Sequence, residues 1–149
     1  MRILRRPPRW IFPAVWAAFI LSMATDLGSG ENTGALLDPF FAWFGIGPSG
    51  AAFVHGAFRA LGHVSAYAAF ALLVHWAARP QHPRPVALAL LLAVGLAIVD
   101  ETLQGLVVPT RTGDVADVLL DGGAAALALL WASRRAQTRA ATESAVPGP

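Results

Sequence analysis

Three groups of polar side chains interrupt otherwise apolar sequence. Arg59, His63 and Tyr67 recur at i, i+4 and i+8; Asp100 and Gln104 stand at i and i+4 beside Glu101; Asp114, Asp117 and Asp121 follow at i, i+3 and i+7. On a helix each spacing puts its members on one face. Arginine forks suit phosphate or carboxylate, and Arg111 offers a second fork. His63 and Glu101 are the residues that would serve as general bases if the site were catalytic. Cysteine is absent, which excludes a thiolate nucleophile, a disulfide framework and a thiolate metal site. Ser65 has no evident activating neighbour, and there is no HExxH or comparable metal spacing, so neither a metal nor a cofactor is expected.

Each of these residues also has an ordinary reading. Arg59 can snorkel to headgroups, and Asp100 and Glu101 can mark a helix end. His63 and Tyr67 can be packing residues, and Asp114, after Gly113, is best read as an N-cap. Asp121 resists such a reading because it lies two turns inside an apolar helix. His75 and His82 sit at a different level and are taken as incidental.

The elements that must carry these groups are membrane helices. Of 149 residues 56% are hydrophobic and 13% charged, with a mean hydropathy of +0.55, too apolar for a soluble domain of this size. All eleven basic residues are arginines and the net charge is only +2, which makes nucleic acid a poor partner. The expected fold is all-α: four transmembrane helices at about 10–25, 58–78, 85–104 and 115–133, within one domain over 10–133. A basic segment, 1–9, precedes them, and a small polar tail, 134–149, reads as disordered. Between the first two spans, Asp26 to Ala52 carries Asp26, Glu31, Asp38 and the aromatic run Phe40, Phe41, Trp43 and Phe44. It reads as a short interfacial helix, with a loose loop or a lid as equal alternatives.

Arginines orient the spans. Arg2, Arg5, Arg6 and Arg9, then Arg79 and Arg84, then Arg134, Arg135 and Arg139 flank one side, and only Arg59 and Arg111 the other. The positive-inside rule therefore puts both termini in the cytoplasm. Ser22-Met23-Ala24 after a short apolar core also resembles a signal-peptide cleavage site, but the bulky Trp10, Pro13 and Trp16 favour a retained helix. His63 lies 16 residues before Arg79 and Asp100 16 residues after Arg84. At 1.5 Å per residue both stand about 24 Å from the basic side. Asp121 and Asp117 stand about 20 and 26 Å from Arg134. All four reach the outer third of a hydrocarbon core about 30 Å thick. Ionisable groups at that depth must face the bundle interior or a wet cavity, so the stripes are expected to converge.

The segments Arg59-Ala60-Leu61-Gly62-His63 with Tyr67, and Asp100-Glu101-Thr102-Leu103-Gln104 with Pro109, Arg111, Gly113, Asp114, Asp117, Asp121 and Gly122 or Gly123, resemble the VanZ-like family of bacterial membrane proteins. That family takes its name from an accessory factor in glycopeptide (teicoplanin) resistance. The resemblance covers about 57–132 and implies four spans and a role in the cell envelope. Two departures stand out: Ala60 where members often carry a second basic residue, and Ala66 where they often carry an acid.

The resulting expectation is a protein of the bacterial cytoplasmic membrane. Its outward-facing polar cavity would bind an anionic lipid or envelope-precursor headgroup, through Arg59 and Arg111 held by Asp100, Glu101, Asp117 and Asp121. His63, Tyr67, Gln104 and Asp114 complete the lining. The alternatives are an intramembrane hydrolase or transferase acting on such a substrate, with His63 and the acidic residues in acid/base or metal roles, and a purely structural polar network. The sequence leaves the oligomeric state and the ligand open.

Overall fold

The computed structural model describes residues 8–24, 30–107 and 114–145. Among them the chain forms five helices and no strand: α1 (Ile11–Met23), α2 (Gly30–Trp43), α3 (Pro48–Ala78), α4 (Pro85–Val107) and α5 (Val115–Ala145). Three are long and apolar enough to cross a membrane, over Pro48–Ala78, Pro85–Leu106 and Val115–Ser144. The 13 residues of α1 rise about 20 Å, which is short of a hydrocarbon core about 30 Å thick.

Helix α3 is the hub and touches all four other helices. The partners across the bundle give the directions. Arg59 and His63 face Asp117 and Asp121 four residues apart in step, so α3 and α5 run parallel. Arg59 meets Gln104 while Tyr67 meets Asp100, so α4 runs antiparallel to both. Near the far end of α3, Arg9 lies over the Trp76 ring at 5.1 Å and Phe12 meets the same ring edge-on. The start of α1, the α3–α4 link and the end of α5 thus gather at one end of the bundle. Farther along, the Trp16 indole N–H donates to the Ala66 carbonyl at 2.9 Å and ties α1 to α3.

Small residues let the long helices approach closely. Ala89, Ala93 and Ala97 of α4, Ala71, Ala77 and Ala78 of α3 and Ala125 of α5 are fully buried, with Tyr67, Val74 and Leu129 beside them. The largest apolar side chains point outward instead, among them Phe53, Leu61, Leu91, Leu106, Leu119, Leu127 and Trp131. An alanine interior inside a leucine and phenylalanine exterior is stable only where the surroundings are as apolar as the side chains. This is the packing of membrane helices, in which close contact replaces the hydrophobic effect.

The region between the first two spans folds as the expected short helix, α2, and differences from the sequence expectation concern where the helices end. Helix α2 stops in a left-handed cap: Gly45 has φ +67°, its N–H donates to the Ala42 carbonyl, and the Ile46 N–H donates to the Phe41 carbonyl. Gly47 and Pro48 then start α3 ten residues before the expected span, with proline at a position that has no intrahelical N–H bond to lose. At the other end α5 continues to Ala145, through residues whose composition reads as a disordered tail. Its Ala, Arg and Gln are strong helix formers, and an established helix propagates more easily than a new one starts.

Candidate functional site

On each long helix a single buried stripe changes character along its length. On α4 it runs Ala89, Ala93, Ala97 and then Asp100, Glu101 and Gln104; on α5 it runs Leu129, Ala125 and then Asp121. On α3 Val74, Ala71, Phe70 and Tyr67 lead to His63 and Arg59. The apolar halves pack together at the end that carries Trp76 and Arg79. The polar halves meet at the other end, where the sequence depths place them.

They meet in three layers. Innermost, the Tyr67 hydroxyl donates to Asp100 Oδ2 at 3.0 Å, with both residues buried. One turn outward, His63 Nδ1 stands 3.1 Å from Asp121 Oδ2. A carboxylate can only accept, so the imidazole is the donor there. Outermost, Arg59 Nη2 donates to Asp117 Oδ2 at 3.1 Å and to Gln104 Oε1 at 3.3 Å. The start of α5 joins the set: the Asp114 N–H donates to Glu101 Oε2 at 2.9 Å, and Asp114 Oδ1 caps the helix by accepting the Ala116 N–H at 2.8 Å. Exposure falls along this column, from 41% for the Arg59 side chain and 29% for Asp117 to 17% for His63 and 0% for Asp121. The column therefore opens at the Arg59 end and closes inward.

Asp100 and Glu101 are neighbours in sequence and about 100° apart around α4, yet both are buried. Helix α4 is wedged between α3 and α5, so Asp100 reaches Tyr67 on one side while Glu101 reaches the head of α5 on the other. Their second oxygens, Asp100 Oδ1 and Glu101 Oε1, have no hydrogen-bond donor among the described residues, and neither does Asp121 Oδ1. Buried acceptors without a donor are rare in folded proteins, and these three occur at one place.

Of the residues expected at the site, Arg59, His63, Tyr67, Asp100, Glu101, Gln104, Asp114, Asp117 and Asp121 come together as described. Arg111 lies outside the described residues. Of the four acids expected as partners for the arginines, Arg59 meets Asp117, and among the described residues Asp100 is met by Tyr67 and Asp121 by His63. The Ser65 hydroxyl donates to the Leu61 and Gly62 carbonyls of its own helix and meets no described base. One pair was missed. His55 Nε2 lies 3.1 Å from Asp38 Oδ1, joining α2 to α3 beside an open groove lined by Phe41, Ile46, Pro48 and Ala51. The signal was present, because His55 stands four residues before Arg59 and extends the same stripe.

A model of the VanZ/LLP1 family matches residues 9–135. The chain belongs to this family. Neither the curated proteins nor the solved structures gave a match. The VanZ/LLP1 match takes in α1 through the apolar part of α5, and therefore every residue of the layered column. The two departures from the VanZ-like pattern fall at distinct places. Ala60 is exposed, away from the column, whereas Ala66 is half-buried and its carbonyl receives the Trp16 indole.

Proposed function

We propose that this VanZ/LLP1-family protein binds the anionic headgroup of a lipid or lipid-linked envelope precursor at the open end of the polar column. The half-exposed Arg59 carries this reading. One guanidinium nitrogen is anchored by Asp117 and Gln104, which fixes the fork while its other N–H groups are left to meet a phosphate or carboxylate. A preset arginine loses less conformational freedom on binding than a mobile one, so the acids beneath it contribute by holding it. Arg111 is proposed as the second clamp, with His63, Tyr67 and the remaining acids as the floor.

In this reading the protein lies in the bacterial cytoplasmic membrane, with α1 as a fourth, tilt-free and locally thinned crossing and α2 along the outer interface. Both termini are cytoplasmic, because nine of the eleven arginines flank that side. A contribution to glycopeptide (teicoplanin) tolerance would follow from capture of an envelope precursor. The test is lipid content. Arg59→Ala and Arg111→Ala proteins, purified in mild detergent with normal yield, are expected to lose co-purifying phospholipid or precursor at least tenfold by mass spectrometry. Unchanged lipid content in both would refute headgroup binding.

A second reading, an intramembrane hydrolase or transferase, draws support from the His63–Asp121 pair, in which a buried carboxylate orients an imidazole beside Glu101. Since Ser65 is occupied, the nucleophile in that reading is water. Loss of turnover in His63→Ala with retained lipid content would favour it over binding alone.

A further inference from the structure

We infer that His63, Asp100 and Glu101 form a binding site for a first-row divalent metal ion such as Mn²⁺ or Zn²⁺. One ligand atom from each lies within 4.8 Å of the other two. Asp100 is 2% and Glu101 6% exposed, and each keeps an oxygen, Oδ1 and Oε1, that no described donor meets. Hydrogen bonds hold the other oxygen of each: Tyr67 takes Asp100 Oδ2 and the Asp114 N–H takes Glu101 Oε2. Both carboxylates are thus oriented with one lone-pair oxygen to spare.

His63 is oriented in the same way. Its Nδ1 is engaged by Asp121 Oδ2, which leaves Nε2 as the nitrogen with a free lone pair. A carboxylate on one imidazole nitrogen and a metal on the other is the usual arrangement around metal-bound histidine, because it fixes the ring and raises its basicity. At bond lengths of about 2.0–2.2 Å, cis ligand atoms around an ion stand about 3 Å apart, so the three side chains close inward on binding. One imidazole and two carboxylates suit Zn²⁺, Mn²⁺ or Fe²⁺, and three protein ligands leave positions open for water or a ligand oxygen.

Charge balance points the same way. Asp100, Glu101, Asp117 and Asp121 converge on the column, against Arg59 alone among fixed cations of the described residues. Even with Arg111 added, the acids are in excess, and a buried excess of charge in hydrocarbon is relieved by a bound cation. Sequence spacing does not reveal the site, because its ligands come from the middle of α3 and from two consecutive residues of α4.

The test uses the full chain in lipid nanodiscs, stripped with a chelator, then titrated with Mn²⁺ while free ion is read by electron paramagnetic resonance. About one Mn²⁺ per chain is expected to bind, and Zn²⁺ to displace it. Asp100→Asn and Glu101→Gln should each weaken binding at least a hundredfold, and Asp121→Asn, which acts only through His63, about ten- to a hundredfold. Asp38→Asn, remote from the cluster, should leave binding unchanged. Wild-type protein that takes up no stoichiometric Mn²⁺ or Zn²⁺ would overturn the inference whatever the variants do, as would equal binding by Glu101→Gln. The outcome is separable from headgroup capture: Arg59→Ala is expected to lose lipid and keep the metal, and metal uptake is measured with no anionic lipid in the disc.

Discussion

At the scale of single residues, three buried acids of the column, Asp100, Glu101 and Asp121, each have one oxygen held and one that meets no described donor. Tyr67 and Asp100 show how much depends on each bond. Both are almost fully buried; the Tyr67 hydroxyl donates to Asp100 Oδ2 at 3.0 Å, while Asp100 Oδ1 meets no donor among the described residues. Tyr67→Phe keeps the ring and removes the donor. It should cost about 1–3 kcal/mol, the usual penalty for orphaning a buried polar group. Unfolding in mixed micelles measures this, and an unchanged midpoint would mean that Asp100 is already neutral or solvated. Asp121→Asn separates a structural role from a binding role. Were the cluster only a lock between α3 and α5, this variant would lower abundance while the folded fraction kept its lipid; under the proposed function both fall.

At the scale of elements, the site exists because each long helix has one stripe that is alanine at one end and acid or base at the other. The alanines set the distance between helices, and that distance decides whether side chains as short as aspartate can reach across. Ala93 is fully buried on α4, between Ala89 and Ala97. Ala93→Leu is expected to push α4 away from its neighbours and to cost about 1–3 kcal/mol by overpacking. It should also lengthen the Tyr67–Asp100 contact, visible as reduced lipid retention although no site residue has been replaced. The control is Leu91→Ala, which alters a 69% exposed side chain and is expected to fall within roughly 0.5 kcal/mol of wild type. Equal stability of the two variants would argue against the close packing described.

At the scale of the whole molecule, α3 and α5 stand out by length. Each has 31 residues and rises about 46 Å, well beyond a hydrocarbon core of about 30 Å. The excess lies at opposite ends: α3 extends past Arg59 to meet α2, and α5 extends past Trp131, where Arg135 covers the indole at 4.2 Å. The proposed orientation puts the first extension outside and the second in the cytoplasm. Because the chain has no cysteine, single Ser49→Cys and Ser144→Cys variants report topology without background. Ser49→Cys should react with a membrane-impermeant maleimide in intact cells and Ser144→Cys only after lysis. The reverse pattern would invert the molecule and turn the column toward the cytoplasm.

Hydropathy and spacing determined the membrane-helix character, the three long helices and the common level of the polar residues along them, since these depend on composition along the chain and on a fixed rise per residue. Helical spacing likewise determined that Arg59, His63 and Tyr67 share one face and that Asp117 and Asp121 share another. Partner choice was decided only by the tertiary structure. Whether Asp121 meets an arginine or His63, and whether consecutive Asp100 and Glu101 look the same way or straddle two neighbours, depends on helix direction, rotation and spacing. Those are set by alanine contacts between segments far apart in sequence. The ends of α3 and α5 were hidden for a related reason: hydropathy registers where the apolar layer stops, while a helix stops where its backbone hydrogen bonds are capped or broken.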